Sequence, residues 1–318
     1  NNLYFLAGLQ ELQLSKNKFR ILSPEISWLP QIKILEAFDN PLESPPKAVS
    51  EQGSSATIRF LKEIDVQGIT GEGNKLWTSK LMVVGEGGVG KTSLVKALKG
   101  EAHDSSEFTT HGIQLDSIDI KHPHESSVQM NLNIWDFGGQ QIYHATHQFF
   151  LTDNSIFIFA WNARTEFNQG RPYYWLDMIT ANAQNAPIVL VATHLDQRRE
   201  LIPLDYLQEK YPQIKAFIEV SNLDRQGIEF LYAEIRALAA DLPLMGKPWP
   251  KRWGEATEAL KTSSKKIISR QQLMEVFRQH SLDRENSEVL AKYLHDLGPI
   301  LQYPDSDALN DYVILHPH

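Results

Sequence analysis

Residues Gly85-Glu86-Gly87-Gly88-Val89-Gly90-Lys91-Thr92 form the pattern G-x-x-x-x-G-K-[ST], with Ser93 directly after it. These residue types in this order can hold a phosphate. Gly85, Gly87, Gly88 and Gly90 let the backbone approach closely, and main-chain N–H groups from this loop through Val89 and Ser93 can converge on one anion. Lys91 would reach the β- and γ-phosphates of a bound nucleotide, and the Thr92 hydroxyl would ligate Mg²⁺. The context agrees with that chemistry. The apolar run Leu81–Val84 precedes the loop as a buried strand, and Thr92–Lys99 follows it as a helix whose N-terminus favours negative charge.

Four further stretches carry groups that such a site needs. The strand-like run Val128–Trp135 ends in Asp136-Phe137-Gly138-Gly139-Gln140. Asp136 at a strand tip facing the phosphate loop can hold Mg²⁺, directly or through water. Gly139 leaves its N–H open to a γ-phosphate, and Gln140 stands where a side chain could orient attacking water. Between the first helix and the next strand, Thr109 and Thr110 could close over the γ-phosphate and add a metal ligand. The run Ile188–Ala192 leads to Thr193-His194-Leu195-Asp196. A carboxylate there can accept from guanine N1–H and the 2-amino group, a donor pair adenine lacks. His194 could lie flat on the base. After Ala216–Val220, Ser221 and Asn222 could bring backbone N–H groups to the guanine O6.

Positioning these groups takes a particular scaffold. Strands are expected at Leu81–Val84, Gln114–Ile120, Val128–Trp135, Ser155–Trp161, Ile188–Ala192 and Ala216–Val220. Helices are expected at Thr92–Lys99, Ile142–Leu151, Tyr173–Asn182, Leu204–Lys210 and Gly227–Ala239. This alternation predicts an α/β fold with a mostly parallel sheet covered on both faces, and a ligand at the carboxyl ends of its strands. Residues 80–240 are read as this domain. Trp135, Trp161 and Trp175 belong to its core. His144 and His147 lie one helical turn apart without a carboxylate beside them, and are read as packing residues of the helix that follows Gln140.

Flanking segments differ in pattern. Leu9-x-x-Leu12-x-Leu14-x-x-Asn17-x-Phe19 is repeated by Ile32-x-x-Leu35-x-Ala37-x-x-Asn40-x-Leu42, an offset of 32 − 9 = 23 residues. That period lies in the leucine-rich-repeat range. Residues 1–63 are read as the end of a repeat array with a helical cap at Gly53–Glu63, and 64–79 as a Gly-rich linker. From 241 to 318, Pro243, Pro248 and Pro250 with Trp249 and Trp253 suggest a stiff connector. Helices at Glu255–Lys261, Arg270–Gln279 and Asn286–Leu297 follow, and a hairpin of Ile300–Tyr303 with Tyr312–Leu315 completes a winged-helix-like α+β module.

A net charge of −8 argues against a nucleic-acid partner. The absence of cysteine excludes disulfides, zinc-thiolate sites and thiol catalysis, and it fits a reducing, cytoplasmic setting. No apolar run is long enough for a transmembrane segment, and no basic leader opens the chain. The first residue is not Met, so the chain is read as a fragment.

Taken in order, the five stretches resemble a Ras-like GTPase domain. With repeats before it and the Pro/Trp-rich helical segment after it, the whole chain resembles the Roco family, in which a Roc (Ras-of-complex) domain is followed by a COR (C-terminal-of-Roc) domain. Trp135–Phe150, Thr193-x-x-Asp196 in place of Asn-Lys-x-Asp, and Leu294-His295-Asp296-Leu297-Gly298 carry the likeness. The spacing 110 − 92 = 18, usual in small GTPases, favours Thr110 over Thr109. The resemblance implies a GTP/GDP switch with Mg²⁺, GTP hydrolysis, a homodimer formed through the COR domain in the full-length protein, and an unidentified protein partner on the repeats. An arginine acting on the γ-phosphate would fit that cycle, with Arg164 the first candidate and Arg171 the second. The alternative is a repeat-bearing interaction scaffold whose nucleotide site is structural or reads ATP.

Overall fold

The computed structural model describes residues 6–42, 44–50, 53–66, 75–102, 112–138, 151–152, 154–197, 202–303, 306 and 309–315. The chain divides into two compact units. One takes residues up to Leu76 together with Pro243–His295 and Pro299–Pro317, and the other takes Trp77–Leu242 with Asp296–Gly298.

The first unit opens with two short parallel strands, β1 (Glu11–Gln13) and β2 (Ile34–Glu36), in the register Glu11↔Ile34. That pairing is 34 − 11 = 23 residues, the sequence period itself. The amide of Asn40 donates to the Leu14 carbonyl at 2.8 Å and to the Ala37 carbonyl at 3.0 Å, while Asn17 donates to Leu14 at 2.9 Å. An asparagine at this step thus satisfies the carbonyls that the turning chain exposes. Leu22, Ile26, Leu29, Leu35 and Ala37 fill the space between turns. A single helical turn, α1 (Lys47–Ser50), leads into α2 (Ser54–Val66), which adds Leu61 to that cluster.

The second unit is built on a six-stranded sheet. Its strands are β3 (Thr78–Val84), β4 (Ile113–Lys121), β5 (Gln129–Phe137), β6 (Ser155–Asn162), β7 (Ile188–Thr193) and β8 (Ile214–Glu219), in the spatial order β4-β5-β3-β6-β7-β8. Every neighbouring pair is parallel except β4 with β5. Central strands β3, β6 and β7 are buried almost throughout, whereas edge strand β4 alternates. That contrast is what helices on both faces of a parallel sheet demand. Those helices are α3 (Lys91–Lys99), α4 (Pro172–Asn182), α5 (Leu204–Lys210) and α6 (Ile228–Ala240). Trp135, Trp161 and Trp175 are fully buried, as their apolar neighbours suggest. The expected helix Ile142–Leu151, with His144 and His147, lies outside the described residues apart from Leu151.

Strand β3 begins three residues before the apolar run, because Lys80 is part of it. Lys80 is completely buried, with its ammonium 4.7 Å from the centre of the Trp135 ring. Burial pushes its pKa down to about 8 from 10.5, against the opposing pull of Asp296. Between those values the unfolded chain binds more protons than the folded one, so stability rises with pH through this window and is lowest below it. Lys80→Met should therefore raise stability at pH 7 by about 1–3 kcal/mol and flatten the rise between pH 8 and pH 10, as read from urea melts at several pH values.

The rest of the first unit comprises α7 (Lys251–Lys261), β9 (Ile267–Ser269), α8 (Arg270–Gln279), α9 (Arg284–Leu297), β10 (Leu301–Gln302) and β11 (Tyr312–Ile314). The hairpin read from sequence is present as β10 with β11, but a third antiparallel strand, β9, pairs with β11. Ser269 ends β9 and caps α8 in a reciprocal box with Gln272. The Pro/Trp-rich stretch is more than a connector. Trp253 lies in α7 and meets Phe60, Trp249 and Tyr293 with ring centres 5.6, 5.1 and 5.8 Å away.

Candidate functional site

The loop from Gly85 to Gly90 joins β3 to α3. Gly85 has φ +140°, and a Cβ there would lie 2.1 Å from the Ala160 carbonyl oxygen, so only glycine fits. Gly90 caps α3 at φ 85°. Lys91 is 6 % exposed and donates from Nζ to the Gly85 and Glu86 carbonyls at 2.9 and 2.8 Å. Burial pushes its pKa down to about 8, with Asp136 and Glu86 opposing. The ammonium is thus desolvated and held on two main-chain oxygens that an anion can replace.

Asp136 is the penultimate residue of β5 and stands opposite Val83 of β3. It is 2 % exposed, and its Oδ2 accepts from the Thr92 hydroxyl at 2.5 Å. A hydroxyl and a carboxylate brought together beside a phosphate loop suit Mg²⁺, which keeps several waters and takes the rest of its shell from nucleotide phosphates. Among the described residues no group of three or more His, Asp or Glu side chains could hold a metal alone. The donor set present fits a nucleotide-borne cation. Thr110, Gly139 and Gln140 lie outside the described residues.

The loop after β7 is fastened to the phosphate loop. Thr193 is fully buried, and its hydroxyl lies 2.7 Å from the Val89 carbonyl oxygen and 3.0 Å from that of Trp161. His194 Nδ1 lies 2.9 Å from the same hydroxyl, and His194 takes a left-handed φ of 65°. Asp196 is exposed on the turn that follows. From the loop after β8, Asn222 donates to the Gly90 carbonyl at 3.0 Å while buried Ser221 packs beside it in sequence. The loops after β7 and β8 therefore both meet Val89–Gly90, each more than 100 residues from it in sequence.

Two arginines follow β6. Arg164 is exposed at the strand tip, and its Nε donates to Asn162 Oδ1 at 3.0 Å. Arg171 precedes α4 and lies 3.8 Å from the Glu86 carboxylate. A contributor with no motif of its own is Arg225, whose guanidinium donates to the Ala97 and Glu101 carbonyls at the end of α3. A cation placed there complements the helix C-terminus and steadies the helix that starts at Lys91.

A parallel sheet with one antiparallel edge, a phosphate loop after its first strand, and an Asp at the tip of the neighbouring strand define a Ras-like P-loop GTPase fold. Comparison with known families agrees. Residues 80–196 match the family model "Ras of Complex, Roc, domain of DAPkinase", and residues 250–318 match "C-terminal of Roc, COR-A domain". The solved structure of Methanosarcina barkeri Roco2 RocCORdC bound to GDP is similar at a TM-score of 0.69 and 31 % identity, covering 80 % of this chain and 77 % of that one. The "Probable serine/threonine-protein kinase pats1" of Dictyostelium discoideum is 31 % identical over 93 % of this chain. Mouse leucine-rich repeat serine/threonine-protein kinase 1 is 29 % identical over 67 % of it. The chain belongs to the Roco family, and it spans about a tenth of the length of each of those two kinases.

Proposed function

We propose that this chain is the guanine-nucleotide switch segment of a Roco protein, binding GTP and GDP with Mg²⁺ and hydrolysing GTP. The observation that carries this reading is the fastening of Thr193 to Val89 and of Asn222 to Gly90. It holds a base-reading loop, ending in Asp196, against the loop that takes the phosphates. Lys91 and the loop amides bind the phosphates, Thr92 and Asp136 complete the Mg²⁺ shell, and Thr110 joins them in the GTP state. Asp196 accepts from the guanine edge, with His194 on the base and Ser221 and Asn222 at its O6 side. Gln140 orients water, and Arg164 brings positive charge to the γ-phosphate.

In the same reading, residues 1–63 end a leucine-rich-repeat array that receives a protein partner. The linker read as 64–79 narrows to the stretch between α2, which ends at Val66, and β3, which starts at Thr78; residues 80–240 are the Roc domain, and 241–318 a winged-helix-like start of the COR domain. Nucleotide state is coupled to homodimerisation through the COR region of the full-length protein. The three-stranded antiparallel ribbon beside three helices supports the winged-helix assignment.

Thermal melting with GDP and with ADP tests the nucleotide reading. A ligand that binds only the folded form stabilises it by about 2.7 kcal/mol at 100 times its Kd. GDP with Mg²⁺ should raise the melting temperature by several degrees and ADP should not. Equal shifts would favour the interaction-scaffold alternative with a structural or ATP-reading site.

A further inference from the structure

Glu86 is a carboxylate inside a loop whose work is to hold phosphates. Its backbone carbonyl accepts from Lys91, and its side chain reaches α4. There the Trp175 indole donates to Glu86 Oε1 at 3.1 Å, and Arg171 Nη1 lies 3.8 Å from the same oxygen. The surroundings are built to keep this arrangement. Trp175 is fully buried, and the Glu86 side chain is only 20 % exposed. Arg171 takes a left-handed φ of 51° just before Pro172, a conformation that costs a non-glycine residue about 1 kcal/mol or more. That backbone turn places its guanidinium 4.4 Å over the Tyr174 ring and beside Glu86.

The turn itself has no need of a carboxylate at this position, and a bare one would repel phosphate. Repulsion grows with ligand charge, so it would weigh more on a nucleoside triphosphate than on a diphosphate. We propose that Arg171 is the counter-charge of Glu86, and that this pair, clamped by Trp175, sets how strongly the loop prefers triphosphate over diphosphate. Arg171 acts through Glu86 and is a positioning residue. The inference rests on the reading of residues 85–93 as a guanine-nucleotide phosphate loop.

The test measures Kd for a non-hydrolysable GTP analogue and for GDP, both with Mg²⁺, in the wild type, Arg171→Gln, Arg171→Lys and the double variant Arg171→Gln/Glu86→Gln. Arg171→Gln should weaken the triphosphate relative to the diphosphate by about three- to tenfold. Arg171→Lys should hold the wild-type ratio. The double variant should return to it, because no unpaired carboxylate remains. Raising ionic strength should shrink the Arg171→Gln shift, which a merely structural defect would not do. An unchanged ratio in Arg171→Gln, or a double variant shifted as far as the single, overturns the charge pairing alone. A wild-type chain that binds neither nucleotide overturns the nucleotide reading and this inference with it.

Discussion

Lys91→Met should raise the Kd for GDP at least about 100-fold and erase the thermal stabilisation that GDP gives, while the nucleotide-free protein melts at the wild-type temperature or above it. The two halves of this expectation have one cause. Lys91 is already out of water, at 6 % exposure, and burial holds its pKa down at about 8. Among the described residues its ammonium donates to the Gly85 and Glu86 carbonyls, at 2.9 and 2.8 Å. Methionine fills a similar volume and removes the desolvated charge, so the fold loses little. With ligand, the same ammonium exchanges carbonyls for phosphate oxygens. Charge-assisted hydrogen bonds in such a setting contribute about 1.5–3 kcal/mol each, so losing them accounts for two decades of affinity. Calorimetric titration with GDP and melts with and without it provide both numbers. A Lys91→Met protein that keeps its GDP shift would take Lys91 out of phosphate binding.

How much of this was readable in advance follows from how local each signal is. The 23-residue period translates directly into the β1–β2 register because equivalent positions of the two units stand side by side, Leu12 against Leu35. The phosphate loop is equally local, since its glycines, lysine and threonine are contiguous. Strand β3 is longer than its apolar run because a lysine marks a strand's end to any reader of hydrophobicity. Lys80 is nonetheless buried, against a Trp135 ring that lies 55 residues away in sequence. Strand β9 carries no pattern of its own, because its three residues follow Lys265-Lys266 and run straight into the cap of α8. The site shows the same division. Thr193 is marked by its place after the apolar run Ile188–Ala192, yet nothing local says that its hydroxyl meets the Val89 and Trp161 carbonyls. The pairing with Val89 spans more than 100 residues, as does Asn222 with Gly90 and, nearly, Trp175 with Glu86. Nothing in a local pattern encodes which distant backbone oxygen a side chain will meet.

Asp196→Asn should lower GDP affinity by about 100-fold while raising affinity for xanthosine diphosphate above that of the wild type. The argument starts from rigidity. The loop carrying Asp196 is anchored by the buried Thr193 hydroxyl, by the Leu195 N–H on the Val220 carbonyl at 3.0 Å, and by the Gln197 N–H on the His194 carbonyl at 3.0 Å. A carboxylate on so fixed a turn can present two acceptors at once, matching guanine N1–H and the 2-amino group. Asparagine keeps one acceptor and turns the other position into a donor, so the 2-amino group meets an N–H and is left unpaired. An unpaired polar group in a closed contact costs about 1–3 kcal/mol, which is one to two decades in Kd. Xanthine replaces the 2-amino group with a carbonyl, and the asparagine amide then has an acceptor to meet. Competition of labelled GDP against unlabelled GDP and xanthosine diphosphate reads both changes from one experiment. Since the anchoring contacts use Thr193, Leu195 and Gln197 rather than the Asp196 side chain, the variant should fold normally. A normally folded Asp196→Asn protein with wild-type preference for GDP would assign base recognition to some other group.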